Sequence, residues 1–255
     1  MQNISPKTLF TGHQLVFLPQ CDSTNHVAQD LVNKNKATEG CVVITGCQTQ
    51  GRGQRGNTWE AEPNQNVTLS VILKPGFLAV HQQFYLNICS SLAVLDLVRA
   101  FLPGQAAELK VKWPNDIYYG NKKLGGILIE NTVRGQSIQH CIVGIGLNIN
   151  QVSFAQAGPV SLSLITGKRY GLREVVEGLL ERLEGRYLAL QQGKLEQLKI
   201  NYLQHLYRYQ EPHLFRVADQ VVRGLILGID AQGRLSVQVG DQVRSFDFKE
   251  IAFIL

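Results

Sequence analysis

The chain has 255 residues, enough for one sizeable hydrophobic core and a small second unit. Hydrophobic residues make up 44% of it and charged residues 18%, which is the composition of an ordinary globular protein. The net charge of +5 permits an anionic partner, but no block of like charge indicates a tail that binds nucleic acid.

The five cysteines include no Cys-x-x-Cys pair, and several lie in apolar stretches. Such cysteines are typical of small buried side chains and argue against a zinc site or a disulfide framework. The first 20 residues show no apolar segment with a cleavage pattern, and we expect no run that approaches the ~18–20 apolar residues that span a bilayer. We therefore expect a cytoplasmic protein with reduced thiols, no membrane partner and no dedicated metal site.

Residues 1–210 predict a sheet with helices packed against it. Turn residues such as Gly120-Asn121 separate successive strands by short distances, which implies antiparallel pairing. The expected fold class is therefore α+β with a mixed or antiparallel sheet, not alternating βαβ units. The predicted strands are 13–18, 41–46, 66–73, 108–112, 116–119, 123–133 and 138–148, and the predicted helices are 24–36, 81–102, 173–191 and 194–209.

Residues 211–255 have a different texture. Five short strands are expected there, separated by turn residues such as Ala231-Gln232-Gly233 and Gly240-Asp241. About 45 residues with this spacing predict a small C-terminal β-barrel domain after a first domain of residues 1–210. The predicted strands are 214–218, 221–229, 234–239, 242–247 and 251–254.

A run rich in glycine and arginine extends from Thr49 to Trp59 and reads TQGRGQRGNTW. Glycine lets a ligand approach the backbone closely, and the arginine side chain presents a planar cationic fork that matches phosphate or carboxylate. This pattern fits a loop that holds a small anion. A solvated hairpin loop that carries arginines fits it as well, because a glycine-rich stretch alone is weak evidence.

Further stretches give the loop a context. KWPNDIY follows at 112–118 and KLGGILIE at 123–130, while DSTN at 22–25, Gln48 and GIGLN at 144–148 complete the set in order. Together these segments resemble the biotin protein ligase family, over roughly residues 15–255. The resemblance implies a class II synthetase-like catalytic domain followed by an SH3-like barrel.

The same resemblance implies a reaction and its partners. The enzyme would activate biotin with ATP as biotinyl-5′-AMP and transfer it to a lysine of a biotin carboxyl carrier protein domain. Mg²⁺ would be bound largely through ATP phosphates and water, without a dedicated metal site in the protein.

Three residues are expected to be catalytic. Arg52 would bind the biotin carboxylate and the adenylate phosphate, with the backbone N–H of Gly53 beside it. Lys123 would contact biotin and phosphate, and strand alternation would point its neighbour Lys122 to the opposite face. Asp116 would orient the acceptor ammonium and accept its proton, unless it only caps its own turn.

The resemblance also implies two binding sets, one for each small molecule. The ureido ring of biotin offers one carbonyl acceptor and two N–H donors, which suits short hydroxyl and amide side chains. For Ser23 and Thr24, capping of the following helix is the alternative role. The biotin-binding set is Ser23, Thr24, Asn25, Gln48, Arg52, Gly53, Gln54, Lys123 and Gly126. The ATP-binding set is Arg52, Arg55, Trp59, Lys112, Asn115 and Asn148.

Two members of the ATP-binding set have open alternatives, and one loop residue departs from the family pattern. Trp59 would stack on adenine or else anchor the loop in the core. Arg55 is as compatible with a solvated position as with a ligand contact. The family loop has a second arginine where this chain has Gln54. We therefore expect looser retention of the adenylate, unless Arg55 or Arg244 compensates.

Alternative functions remain at this stage. A lipoate or octanoate ligase uses a related fold, and a non-catalytic biotin sensor would need no turnover. The motif set favours biotin, and the presence of Lys123 with Asp116 favours an enzyme. Only about 20 residues precede Asp22, too few for a helix-turn-helix module, so we expect no specific DNA binding. The protein would be a monomer or a homodimer, in which strands near 144–148 could pair across a two-fold axis.

Overall fold

A seven-stranded mixed sheet forms the centre of the computed structural model, which describes residues 3–254 except for the side chain of Arg55. Its strands are β1 (Leu15–Leu18), β2 (Cys41–Thr45), β3 (Val67–Leu73), β4 (Leu109–Lys112), β5 (Asp116–Tyr119), β6 (Lys122–Arg134) and β7 (Ser137–Leu147). Their order is β1-β2-β3-β7-β6-β5-β4. Only β1 and β2 pair in parallel among these strands, so the prediction of a mixed α+β sheet is confirmed.

Helices cover the sheet on both faces. They are α1 (Thr24–Asn33), α2 (Phe84–Phe101), α3 (Leu162–Thr166), α4 (Leu172–Gln191) and α5 (Leu195–Gln204). The large core cluster lies between the sheet and α2, α4 and α5, and includes Val42 and Ile44 of β2. A smaller cluster under α1 includes Cys41 and Val43. Because β2 is covered on both faces, all of its residues are buried and its sequence is continuously apolar.

Helix α2 corrects one sequence expectation. The segment Val80–Phe101 is long and apolar enough to cross a membrane by length and composition. However, most of this apolar segment is buried inside the fold. The helix is apolar nearly all round because it packs against the sheet on one side and against α4 and α5 on the other.

A second, five-stranded antiparallel sheet follows α5. Its strands are β8 (Pro212–Val217), β9 (Gln220–Ile229), β10 (Leu235–Val239), β11 (Gln242–Phe246) and β12 (Ile251–Phe253), in the order β11-β10-β9-β8-β12. All five predicted strands are present. The predicted helix 194–209 was too long, because α5 ends at Gln204. After that residue the backbone runs beside β4, where His205 O accepts a hydrogen bond from Val111 N at 2.8 Å.

The position of β7 bears on whether residues 144–148 can pair across a two-fold axis. This strand is hydrogen-bonded to β3 on one side and to β6 on the other. Both of its edges are therefore used, and residues 144–148 have no backbone groups left to pair with a second copy. In the described sheet β1 and β4 are the edge strands.

Candidate active site

A cavity of about 420 Å³ lies on the α1 face of the large sheet. It is bordered by the start of α1, by the loop of residues 51–59 and by the end of the C-terminal sheet. The strands β3, β5, β6 and β7 supply its floor, so the sequence motifs that lie far apart in the chain meet at one place.

Glycines form much of this floor. In the sheet register, Gly126 of β6 lies between Asp116 of β5 and Gly146 of β7, and Gly144 lies opposite Leu128. A Cβ atom on Gly144 would collide with the side-chain amide of Asn25, and one on Gly146 would fall within the ring of Trp59. These positions therefore need glycine so that other side chains can lie flat on the sheet.

Short polar side chains line one end of the cavity, which we call the amide end (Ser23, Thr24, Asn25 and Gln48). The backbone N–H of Thr24 donates to Gln48 Oε1 at 2.8 Å, and its hydroxyl lies 3.1 Å from the same oxygen. The buried hydroxyl of Ser70 lies 2.7 Å from Thr24 Oγ1 and 2.6 Å from Asn25 Oδ1. Three of the predicted biotin-binding residues, Thr24, Asn25 and Gln48, are thus joined in one hydrogen-bonded group.

Two details of the amide end differ from the sequence interpretation. Ser23 occupies the position before α1, yet within the described residues its side chain makes no capping bond, so the alternative role as a cap is not realised there. Ser70 was missed by sequence reasoning. The only signal was a pair of hydroxyl side chains, Thr68 and Ser70, in the otherwise apolar run of β3.

The opposite part of the cavity is the charged end (Lys112, Asp116 and Lys123). Lys123 Nζ lies 2.7 Å from Asp116 Oδ1, and both atoms approach Gly126. Lys112 Nζ donates to Tyr118 Oη at 3.0 Å, and burial lowers the pKa of Lys112. Lys122 is exposed while Lys123 lines the cavity, as strand alternation predicted.

The loop of residues 51–59 arranges Arg52 and Gly53 differently from expectation. Arg52 bridges to Thr58, and its guanidinium lies 3.2 Å from Glu130 Oε2. The backbone N–H of Gly53 donates to Asn57 O at 2.7 Å, because the loop closes on itself around a short 3₁₀ turn at Gln54–Gly56. Neither group is directed at the charged end in this structure, and Gln54 lies in the cavity lining.

The remaining predicted ATP-binding residues are distributed unevenly. Trp59 lines the cavity, and its ring centroid lies 5.9 Å from Lys123 Nζ. Its indole Nε1 has no hydrogen-bond partner within the described residues. Asn115 also lines it, with its amide donating to Ile127 O. Asn148 is not part of the described lining. Its side-chain amide nitrogen donates instead to Val160 O at 3.2 Å. The predicted contact of the Arg55 side chain lies outside the described part of the chain.

Comparison with known proteins identifies the family to which this chain belongs. Residues 17–148 match the Biotin/lipoate A/B protein ligase family. A Biotin--[acetyl-CoA-carboxylase] ligase of Mycobacterium tuberculosis is 31% identical over 230 residues, which cover 89% of this chain and 84% of that protein. The chain belongs to the biotin/lipoate A/B protein ligase family.

Two other similar proteins extend the comparison. The Bifunctional ligase/repressor BirA of Bacillus spizizenii is 27% identical over 243 residues, covering 93% of this chain and 73% of that protein. A biotin protein ligase from Aquifex aeolicus, solved in complex with biotin and ATP, superposes with a TM-score of 0.78 at 22% identity. The superposition covers 95% of this chain and 99% of the Aquifex chain, so the fold is shared along nearly the whole length.

In this member of the ligase family the C-terminal sheet also lines the cavity. Phe248, Lys249 and Phe253 reach it beside Lys112, whose Nζ lies 5.3 Å from the centroid of the Phe253 ring. Sequence reasoning missed them, because nothing in a short strand and turn indicates which domain they face. Arg244, the arginine considered as a substitute for loop charge, is exposed and stacks on Phe246 at 4.9 Å.

The described residues of this ligase-family chain offer no cluster of three or more His, Cys, Asp or Glu side chains that could hold a metal ion. Asp116 is the carboxylate at the charged end, and it is paired with Lys123.

Proposed function

We propose that this chain is an ATP-dependent ligase that joins biotin to a lysine of a biotin carboxyl carrier domain. The observation that carries the proposal is the cavity with an amide end and a charged end over a glycine floor. Biotin is an extended molecule with a ureido ring at one end and a carboxylate at the other. The two ends of the cavity have the chemistry that these two groups require.

The amide end suits the ureido ring. Its hydroxyl and amide groups can accept from the two ring N–H groups and donate to the ring carbonyl. Leu128 and the glycines of β7 offer an apolar surface for the thiophane ring and the valeryl chain. The carboxylate of the bound molecule would then lie near Gly126, beside Lys123.

The charged end suits the first reaction step. A biotin carboxylate oxygen attacks the α-phosphorus of ATP, the bond to the bridging oxygen of the β-phosphate breaks, and pyrophosphate leaves. Both reactants are anionic, so the ammonium groups of Lys112 and Lys123 would offset the charge that concentrates there. Mg²⁺, held by the ATP phosphates, would supply further charge neutralisation. Lys123 would leave Asp116 for the incoming anions.

Asp116 would then serve the second step. The acceptor lysine must lose a proton from an ammonium whose pKa is ordinarily ~10.4 before its nitrogen can attack the acyl carbon. The carbon–oxygen bond to AMP breaks, AMP leaves, and the proton passes to Asp116 and on to solvent. A carboxylate released from Lys123 at the moment the adenylate forms would be available for this transfer.

Intact-mass measurement of a carrier domain incubated with the protein, biotin and MgATP tests the proposal. We expect a gain of one biotinyl group that requires ATP and is not replaced by lipoyl transfer when lipoate is supplied. Asp116→Asn should still form biotinyl-5′-AMP but transfer it about 100-fold more slowly, since a positioned base contributes at least that factor. Lys122→Gln, which removes a charge from the exposed neighbour on the same strand, should transfer at the wild-type rate.

Other results would point elsewhere. Transfer of lipoate in preference to biotin would indicate the lipoate or octanoate ligase. Biotin binding without adenylate formation would indicate a sensor, for which the pairing of Lys123 with Asp116 has no purpose. Transcriptional repression, named for the Bacillus relative, is not part of this proposal. We also propose a cytoplasmic location, in keeping with five cysteines that all lie in the described residues without a disulfide.

A further inference from the structure

Glu130 is a carboxylate at the edge of the amide end that sequence reasoning did not select. Its Oε2 atom accepts from Asn25 Nδ2 at 2.7 Å and from Arg52 Nη2 at 3.2 Å. Its Oε1 atom lies 3.3 Å from the same Arg52 nitrogen. One carboxylate therefore joins the loop of residues 51–59 to a predicted biotin-binding side chain on α1.

The bonds around Asn25 fix which way its amide points. Asn25 Nδ2 has two hydrogens, and these are directed to Glu130 Oε2 and, at 3.3 Å, to Leu128 O. Asn25 Oδ1 accepts from Ser70 Oγ, which leaves one lone pair of this oxygen for a ligand. Because an ionised carboxylate can only accept, it excludes the flipped amide that would present N–H groups to a ureido N–H.

Arg52 is far from the place where phosphate and carboxylate would react. Lys123 Nζ and Asp116 Oδ1 both lie within 3.5 Å of the position that a Cβ atom on Gly126 would take. Glu130 lies four residues further along β6, roughly 13 Å at the usual rise of a strand. The guanidinium bound to Glu130 is thus at the amide end of the cavity, not at the charged end.

We infer that Arg52 and Glu130 are positioning residues for recognition of the ureido ring. Arg52 binds the Glu130 carboxylate, and Glu130 holds Asn25 with its oxygen toward the ligand. The inference rests on the proposed function and replaces the sequence expectation that Arg52 binds the carboxylate and the phosphate. The cations for those groups then come from Lys112 and Lys123.

Calorimetric titration with biotin and with biotinamide, which lacks the carboxylate charge, tests this assignment. Arg52→Gln and Glu130→Gln should each weaken both ligands equally, by about three- to tenfold, the range for loss of one ordinary hydrogen bond. The double variant should bind no more weakly than the weaker single variant, because the two residues act as one unit. In the complete reaction the KM for biotin should rise while kcat stays unchanged, since the charged end is intact.

Controls separate this role from simple damage to the fold. Arg52→Lys keeps a positive charge beside Glu130 and should stay within about threefold of wild type. Lys122→Gln removes an exposed charge on the same strand and should change neither ligand. Unfolded protein would lower the number of binding sites per chain in the titration instead of weakening the affinity.

Two results would overturn the inference. Arg52→Gln would weaken biotin but not biotinamide if its guanidinium bound the ligand carboxylate. Alternatively, Glu130→Gln would leave both affinities unchanged if the amide of Asn25 needed no orientation. If wild-type protein bound neither ligand, the proposed function itself would fail, and that outcome is distinct from both of these.

Discussion

At the scale of single residues, we expect Gln54 to govern how firmly the adenylate is retained, because it stands where the family loop has its second arginine. It lies in the cavity lining on the loop of residues 51–59 and carries no charge. Gln54→Arg should slow the release of labelled biotinyl-5′-AMP by about three- to tenfold, because a hydrogen bond to a phosphate is stronger when the donor is charged. Release is measured by rapid filtration after the first step, without carrier domain.

A matched variant controls for added charge. Gln50→Arg introduces the same side chain at an exposed position outside the described cavity lining and should leave release unchanged. If wild type and Gln54→Arg release the intermediate equally slowly, the uncharged residue has no effect and other cations, such as Lys249 in the lining, suffice.

The same scale shows which site residues a sequence can reveal. Lys123 and Asp116 are readable because a motif fixes their spacing, and the structure brings them within 2.7 Å. Glu130 and Ser70 are not, because their importance depends on a partner on α1, far away in the sequence. Arg52 was selected for its charge, but a partner on another strand decides where that charge lies.

At the scale of elements, helix α4 anchors the N-terminal segment through a row of glutamates. Glu177 and Glu181 each accept one backbone N–H, from Ser5 and Lys7. Glu184 is 5% exposed and accepts three, from Leu9, Phe10 and Thr11, at 2.5, 3.0 and 2.9 Å. The sequence did not reveal this row, since its spacing on α4 is also that of an ordinary solvated helix face.

Glu184→Gln should lower the free energy of unfolding by about 1–3 kcal/mol, because its amide nitrogen would face backbone donors. Burial by itself raises the pKa of Glu184, but the backbone N–H groups of Thr11, Leu9 and Phe10 outweigh it, and the net pKa is lowered. The stabilisation is therefore present above the ordinary pKa of 4.5 and is lost as the pH falls through the lowered folded value.

Urea unfolding at several pH values checks this prediction. The difference between wild type and Glu184→Gln should be full at pH 7 and should shrink in acid. Glu181→Gln, which loses one exposed bond, should cost less than about 0.5 kcal/mol at every pH. An undiminished Glu184→Gln difference in strong acid would show that its charge is not the cause.

At the scale of the whole molecule, the strand order could largely be predicted from the sequence, but the contact between the C-terminal sheet and the rest of the fold could not. Short turns between neighbouring strands fixed the β4-β5-β6-β7 part of the sheet and the five C-terminal strands. The parallel pairing of β1 with β2 crosses α1 and has no local signal. How the C-terminal sheet approaches the rest depends on Trp113, whose Nε1 donates to Gly233 O at 2.9 Å, and turn residues do not encode such a contact.

Gly233 is where this contact can be tested. It has φ of +83° in the turn before β10, and a Cβ atom there would fall within the side chain of Phe84 at the start of α2. Gly233→Ala should cost about 2–5 kcal/mol, the sum of left-handed backbone strain and overpacking. Phe248 and Phe253 of the same C-terminal region line the cavity, so the KM for ATP should rise as well.

Gly240→Ala separates the two causes. Gly240 has φ of +59° in the next turn of the same sheet, and a Cβ atom there would meet nothing within 4 Å among the described residues. This variant should cost only the backbone strain, about 1–2 kcal/mol, and leave the KM for ATP at the wild-type value. Equal costs for the two substitutions in urea unfolding would mean that Phe84 yields to the added methyl group. The C-terminal sheet would then keep its place on the cavity without close packing at Gly233.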